Sequence, residues 1–121
     1  MNWKNILFMA IVLFFLWKQF GQTTDDVSGV DLSSAVIIDV RTPSEFANGH
    51  VKGAINIPVQ NLNETDIAKV ATKDQTLVLY CKSGGRSGTA TSKLRDWGYQ
   101  DVYNLKTQSQ VEKALQDNSV E

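Results

Sequence analysis

Residues 76–86, Thr76-Leu-Val-Leu-Tyr80-Cys81-Lys82-Ser83-Gly84-Gly85-Arg86, narrow the choice of fold more than any other part of the chain. A short run of branched and aromatic side chains reads as a buried strand. It ends at a cysteine and passes into a loop with two adjacent glycines. Ser87 to Trp97 then reads as a helix, with Ala90, Leu94 and Trp97 on one face and Gly98 as its cap. In a parallel sheet, ligands bind outside the carboxyl ends of the strands, which is where this order places Cys81.

The rest of the chain repeats the alternation. Ala35-Val-Ile-Ile-Asp39-Val40 is a second buried strand. Thr42-Pro43-Ser-Glu45 has the residues of a helix start, with Thr42 as N-cap, Pro43 first and Glu45 third, and the helix stops near Asn48-Gly49. Ala54–Ile57 is a short strand closed by Pro58. Residues 61–70 run from irregular to helical, and Thr72–Gln75 is a turn. Val102-Tyr103-Asn104 is a last short strand, and Ser109–Gln116 a terminal helix with Val111, Ala114 and Leu115 inward. Strands alternating with helices imply an α/β domain in three layers, a central, mainly parallel sheet flanked by helices.

The chain of 121 residues has 42% hydrophobic and 21% charged residues, which excludes wholesale disorder. Its net charge of −1 argues against bulk electrostatic binding of nucleic acid. A single cysteine excludes an internal disulfide, a CxxC pair and a multi-cysteine metal site. It can still be a nucleophile; a lone cysteine at a strand end is more often a small buried hydrophobe, but the Gly-rich loop, arginine and helix that follow favour the nucleophile. Glycines 84 and 85 let successive N–H groups turn inward, and such a nest with a helix N-terminus favours negative charge. The same field makes thiolate available, and Lys82 and Arg86 add positive charge beside it.

Two segments carry a family resemblance. Residues 39–58, from Asp39-Val40-Arg41 through Glu45-Phe46, Gly49-His50 and Gly53-Ala54 to Asn56-Ile-Pro58, resemble the first signature of rhodanese domains, and Cys81-Lys-Ser-Gly84-Gly-Arg86-Ser87 resembles their active-site loop. Leu94 to Tyr99 and Val102-Tyr103-Asn104 are similar to the later helix and strand, so the resemblance spans about residues 33–105. It implies a sulfurtransferase, moving sulfane sulfur from thiosulfate to cyanide or a thiol through a persulfide on Cys81. The loop Lys82, Ser83, Gly84, Gly85, Arg86 and Ser87 would stabilise that persulfide and attract the anionic donor, with Asp39 and Arg41 in support. No metal or organic cofactor is required, and the domain is expected to act as a monomer. Cationic Lys82 favours thiosulfate over mercaptopyruvate. Glu45 reads as the capping-box partner and His50 as structural.

Within the resemblance, loop length separates activities. Four residues lie between Cys81 and Arg86, whereas phosphatase-like and arsenate-reductase-like relatives carry one more in a wider ring. The family usually places a glycine pair after Asn104, and here Leu105-Lys106-Thr107-Gln108 stands instead. That departure keeps a second reading open, a low-turnover sulfur carrier, sensor or partner-docking module.

Residues 1–21 are read as a transmembrane anchor or an uncleaved signal-like segment, in preference to a cleaved secretory signal peptide. The apolar run Ile6–Trp17 lies between Lys4 and Lys18, with Trp3 and Trp17 at belt positions, so residues 3–20 would meet the membrane. No small-x-small cleavage site follows it. The charge balance puts the N-terminus inside, so in a bacterium the anchor is a single pass through the inner membrane and the domain is periplasmic. Residues 22–34 are expected to be a linker and 35–121 the domain.

Overall fold

The computed structural model of the chain describes residues 5, 6, 8–13 and 24–119. The elements are β1 (Val36–Asp39), α1 (Pro43–Ala47), β2 (Ile55–Asn56), a 3₁₀ turn (Val59–Asn61), α2 (Glu64–Val70), β3 (Leu77–Cys81), α3 (Gly85–Asp96), β4 (Val102–Thr107) and α4 (Gln108–Ser119). The sheet has the order β2-β1-β3-β4, and every neighbouring pair is parallel. β3 lies inside the sheet and all five of its residues are buried, which explains its unbroken apolar sequence.

Period-two alternation divides the core between the two faces of the sheet. Leu77, Leu79 and Cys81 join Ile38, Ala90 and Leu94 on one side, and Val78 and Tyr80 join Ile37, Leu105 and Val111 on the other. The small residues Ser87, Ala90 and Thr91 are the buried face of α3 together with Leu94. They bring the start of that helix close to the end of β3.

The helix ends follow their local signals. Glu45 N–H donates to Thr42 Oγ1 at 3.3 Å, and Thr42 N–H donates to Glu45 Oε1 at 3.1 Å, which completes the capping box of α1. At the end of α3, Gly98 (φ +96) donates to Arg95 O and Tyr99 to Leu94 O, the paired bonds of a glycine-closed helix.

Three differences from the sequence expectation bear on the site. α3 starts at Gly85 rather than Ser87, because Gly84 at φ +104 turns the chain into the helix two residues sooner. β4 runs on past Asn104 to Thr107. Leu79 pairs with Asn104 but Tyr80 pairs with Lys106, so Leu105 is an extra residue in a bulge and pairing then resumes. Residues 24–34 of the expected linker lie on the domain. Leu32 is buried, Asp25 N–H donates to Asn104 O, and Asn118 binds both Val30 O and Leu32 N–H.

The expected anchor over residues 1–21 lies mostly outside the described residues. Residues 5, 6 and 8–13 are helical, and the apolar side chains among them are exposed. Among the described residues no helix is long and apolar enough to cross a membrane.

Candidate active site

Cys81 is the last residue of β3, and its side chain lies under the first turn of α3. The sulfur is ringed by donors. Gly84 N–H reaches Sγ at 3.0 Å and Ser87 N–H at 3.4 Å, while Ser87 Oγ lies 3.3 Å away. Gly84 can take this place because its φ of +104 is open to glycine. Burial pushes the Cys81 thiol up. Hydrogen bonds from the Ser87 hydroxyl and from the N–H groups of Ser87, Gly84 and Ser83 outweigh it, so the acidity settles below that of an ordinary thiol.

The Ser87 hydroxyl has one proton and two neighbours that can accept it. It donates to Asn104 Oδ1 at 2.7 Å, and sulfur is its second acceptor. Lys106 N–H also donates to Asn104 Oδ1, at 3.0 Å. When the sulfur ionises, the serine proton can turn to it without leaving Asn104 unserved. Ser87→Ala removes this charge-assisted bond. It should raise the pH midpoint of Cys81 alkylation and slow alkylation at neutral pH by about tenfold. Mass spectrometry of iodoacetamide-treated protein across pH reads this directly, because the chain has one cysteine.

The arginines around the loop are held by carboxylates. Arg86 meets Glu45 through two bonds, Nη1 to Oε1 at 2.7 Å and Nη2 to Oε2 at 3.1 Å. Glu45 is therefore both capping residue and loop brace, a second role that sequence reading missed. The only local signal for Glu45 was its place in the capping box. Arg41 donates through Nε to both oxygens of Asp39, at 2.9 and 3.0 Å, and through Nη2 to Oδ2 at 2.7 Å. Its Nη2 also reaches Gly49 O, and its guanidinium lies over the Tyr80 ring. Asn104, also missed, links Ser87, Gly84 O and the backbone of Lys106.

The remaining expected residues take simpler places. Lys82 and Ser83 are exposed on the loop, and Gly85 is exposed at the start of α3. His50 donates from Nδ1 to Phe46 O at 2.9 Å and stacks on the Phe46 ring, as a structural residue would. Above the sulfur is an open cleft of about 370 Å³, lined by Cys81, Arg41, Lys82, Thr107, Ser109 and Glu112 among others. The residues that line it, Cys81 apart, carry polar or charged groups, which suits a small hydrophilic reactant.

The Arg86 hydrogen bonds, then the Thr42 N–H, bring the Glu45 carboxyl down to about 2 from its ordinary 4.5. The folded protein keeps this carboxylate ionised where the unfolded chain protonates it. The brace is thus fully present above about pH 4.5 and is lost as pH falls from there towards 2. The melting-temperature gap between wild type and Glu45→Gln should accordingly close over that interval and stay constant from pH 5 to 7. Thermal melts at a series of pH values check this. Both side chains are about a third exposed, so the gap should be modest.

A lone acidic cysteine at the end of a parallel strand, in a ring of backbone donors at a helix N-terminus, defines an α/β domain built to hold an anionic sulfur. Residues 25–108 match the Rhodanese-like domain family, and the chain belongs to that family. It is 35% identical over 107 residues to the uncharacterized protein YqhL of Bacillus subtilis, covering 84% of this chain and 83% of that one. It is 42% identical over 67 residues to the thiosulfate sulfurtransferase PspE of Escherichia coli, covering 55% of this chain and 64% of the relative. A solved rhodanese with anions from E. coli superimposes with a TM-score of 0.58 at 37% identity, over 63% of this chain and 89% of that one.

Proposed function

We propose that the protein is a sulfurtransferase that takes sulfane sulfur from thiosulfate onto Cys81 and passes it to cyanide or a thiol. The observation that carries this reading is the ring of donors on Sγ, from Gly84 N–H, Ser87 N–H and the Ser87 hydroxyl. The Cys81 thiolate attacks the outer sulfur of thiosulfate. A new S–S bond forms as the old one breaks, and sulfite leaves with the electron pair. The product is a persulfide anion on Cys81, whose negative charge the loop and helix N-terminus stabilise. Cyanide then attacks the outer sulfur, leaves as thiocyanate, and regenerates the thiolate. No proton transfer is required in either step, so His50 needs no part in them. The domain works as a monomer in this scheme.

Thiocyanate formation from thiosulfate and cyanide, with the intact mass recorded after thiosulfate alone, tests the proposal. A one-sulfur gain in mass together with steady thiocyanate release supports it. A mass gain without release supports the second reading, a sulfur carrier with a dedicated acceptor, which Lys106 at a backbone angle natural to glycine favours. Absence of both signals from folded protein rejects sulfur chemistry at Cys81.

We also propose that residues 1–21 hold the domain at a membrane, on the periplasmic side in a bacterium. The support is the exposure of apolar side chains such as Ile6, Phe8 and Leu13. Carbonate extraction of membranes, with protease added to intact spheroplasts, tests attachment and sidedness together.

A further inference from the structure

Most of the positive charge near Cys81 is already neutralised. Arg41 is paired with Asp39, Arg86 with Glu45, and Arg95 with Asp25. Lys82 and Lys106, by contrast, form no ion pair among the described residues. Lys82 lines the cleft over the sulfur. Lys106 stands on the other side of the loop, in a cavity of about 570 Å³ that Ser83, Gly84 and Gly85 also line.

Lys106 is held there against its backbone preference. Its φ is +68, and it is the only residue other than glycine with positive φ among the described residues. Glycine would occupy that angle without strain, and a side chain retained in it is a reason to look for a use. The bulge at Leu105 and the bond from Lys106 N–H to Asn104 Oδ1 fix its direction. Its aliphatic stem lies across Gly84, where an added Cβ would come 2.7 Å from Lys106 Cγ. Gly84 gives the shorter of the two backbone N–H contacts to the sulfur. The half-buried side chain therefore runs along the loop.

We propose that Lys106 is a specificity-determining residue, supplying from the far side of the loop a positive charge that favours anionic reagents over neutral ones at Cys81. The proposal deepens the sulfurtransferase reading and rests on Cys81 as the reacting group. The other charges that bear on the site are the Arg86–Glu45 pair on the loop, Arg41 (paired with Asp39), Lys82 and Glu112 around the cleft, and the Asp25–Arg95 pair beside Lys106. The Lys106 charge acts on the sulfur across Gly84 as a field rather than through a bond, so it is worth a few-fold in rate and is screened by salt.

The test compares alkylation of Cys81 by iodoacetate, an anion, and iodoacetamide, its neutral counterpart, in the full chain. Lys106→Gln keeps the stem and the strained angle and removes the charge. Lys106→Gly removes all three. In low salt, at a pH where Cys81 is fully ionised, iodoacetate should slow by about threefold in both variants while iodoacetamide is unchanged, and the difference should vanish in half-molar salt. Lys106→Gly should also melt at a higher temperature than Lys106→Gln, because glycine relieves the backbone. Persulfide formation from thiosulfate should fall in step with iodoacetate. Equal changes with both reagents, or no change with either, overturn the proposal. If wild-type protein forms no persulfide, the sulfurtransferase reading fails, and the alkylation ratio still decides the role of Lys106.

Discussion

Cys81→Ser should form no persulfide from thiosulfate and reduce thiocyanate production to the uncatalysed background, a loss on the order of 10⁴-fold or more. The cause is chemical. A serine hydroxyl stays protonated where the Cys81 thiol ionises, and oxygen does not hold sulfane sulfur as a stable intermediate. The substitution should leave the fold intact. Position 81 is 2% exposed, and a hydroxyl placed there still finds Gly84 N–H and the Ser87 hydroxyl as partners. Activity should thus vanish while the melting temperature moves by only a few degrees. The chain has no second cysteine to take over the sulfur. A folded variant that kept a hundredth of the wild-type rate would show that Cys81 is not the carrier.

The second large effect is on stability. Asp39 is fully buried at the carboxyl end of β1, and its carboxylate receives the backbone N–H of Arg41 as well as the guanidinium. Asp39→Ala leaves Arg41 with Gly49 O and the face of Tyr80, its charge uncompensated at a side-chain exposure of 13%. Breaking a buried pair in this way costs about 3 kcal/mol, or about 15 °C in melting temperature for a domain of this size. Arg41 also lines the Cys81 cleft, so turnover should fall even at temperatures where the variant is folded. Thermal and urea melts with thiosulfate turnover measured alongside check both parts. A drop of under about 5 °C would mean that Arg41 finds other partners and that Asp39 is not the support the geometry makes it.

Much of the site was legible because its chemistry is local. Cys81, the loop that encloses it and the helix that follows are contiguous, and the glycines and small residues needed there stand next to one another. The Thr42 capping box closes within four residues, and the Gly98 helix end lies within six. What was not legible involves partners far apart in the chain. Arg86 and Glu45 are 41 residues apart, and nothing in the sequence says that two charges at those positions meet. Asn104 reaches Ser87 across 17 residues, and Asp25 reaches Asn104 across 79. Those contacts turned an expected linker into part of the domain.

By itself, the sequence determined the alternation of strands and helices, the burial of β3 and the cysteine with its ring of donors. Each follows from side-chain periodicity or from residues close enough to bond as soon as their own segment forms. Tertiary structure alone decided which charges are neutralised and which remain free. Sheet order brings Glu45 to Arg86. A single extra residue, Leu105, shifts the register of β4 and gives Lys106 a backbone angle that its own preference would reject. Register and long-range pairing are set by packing of the whole sheet, whose cost and gain no local segment contains.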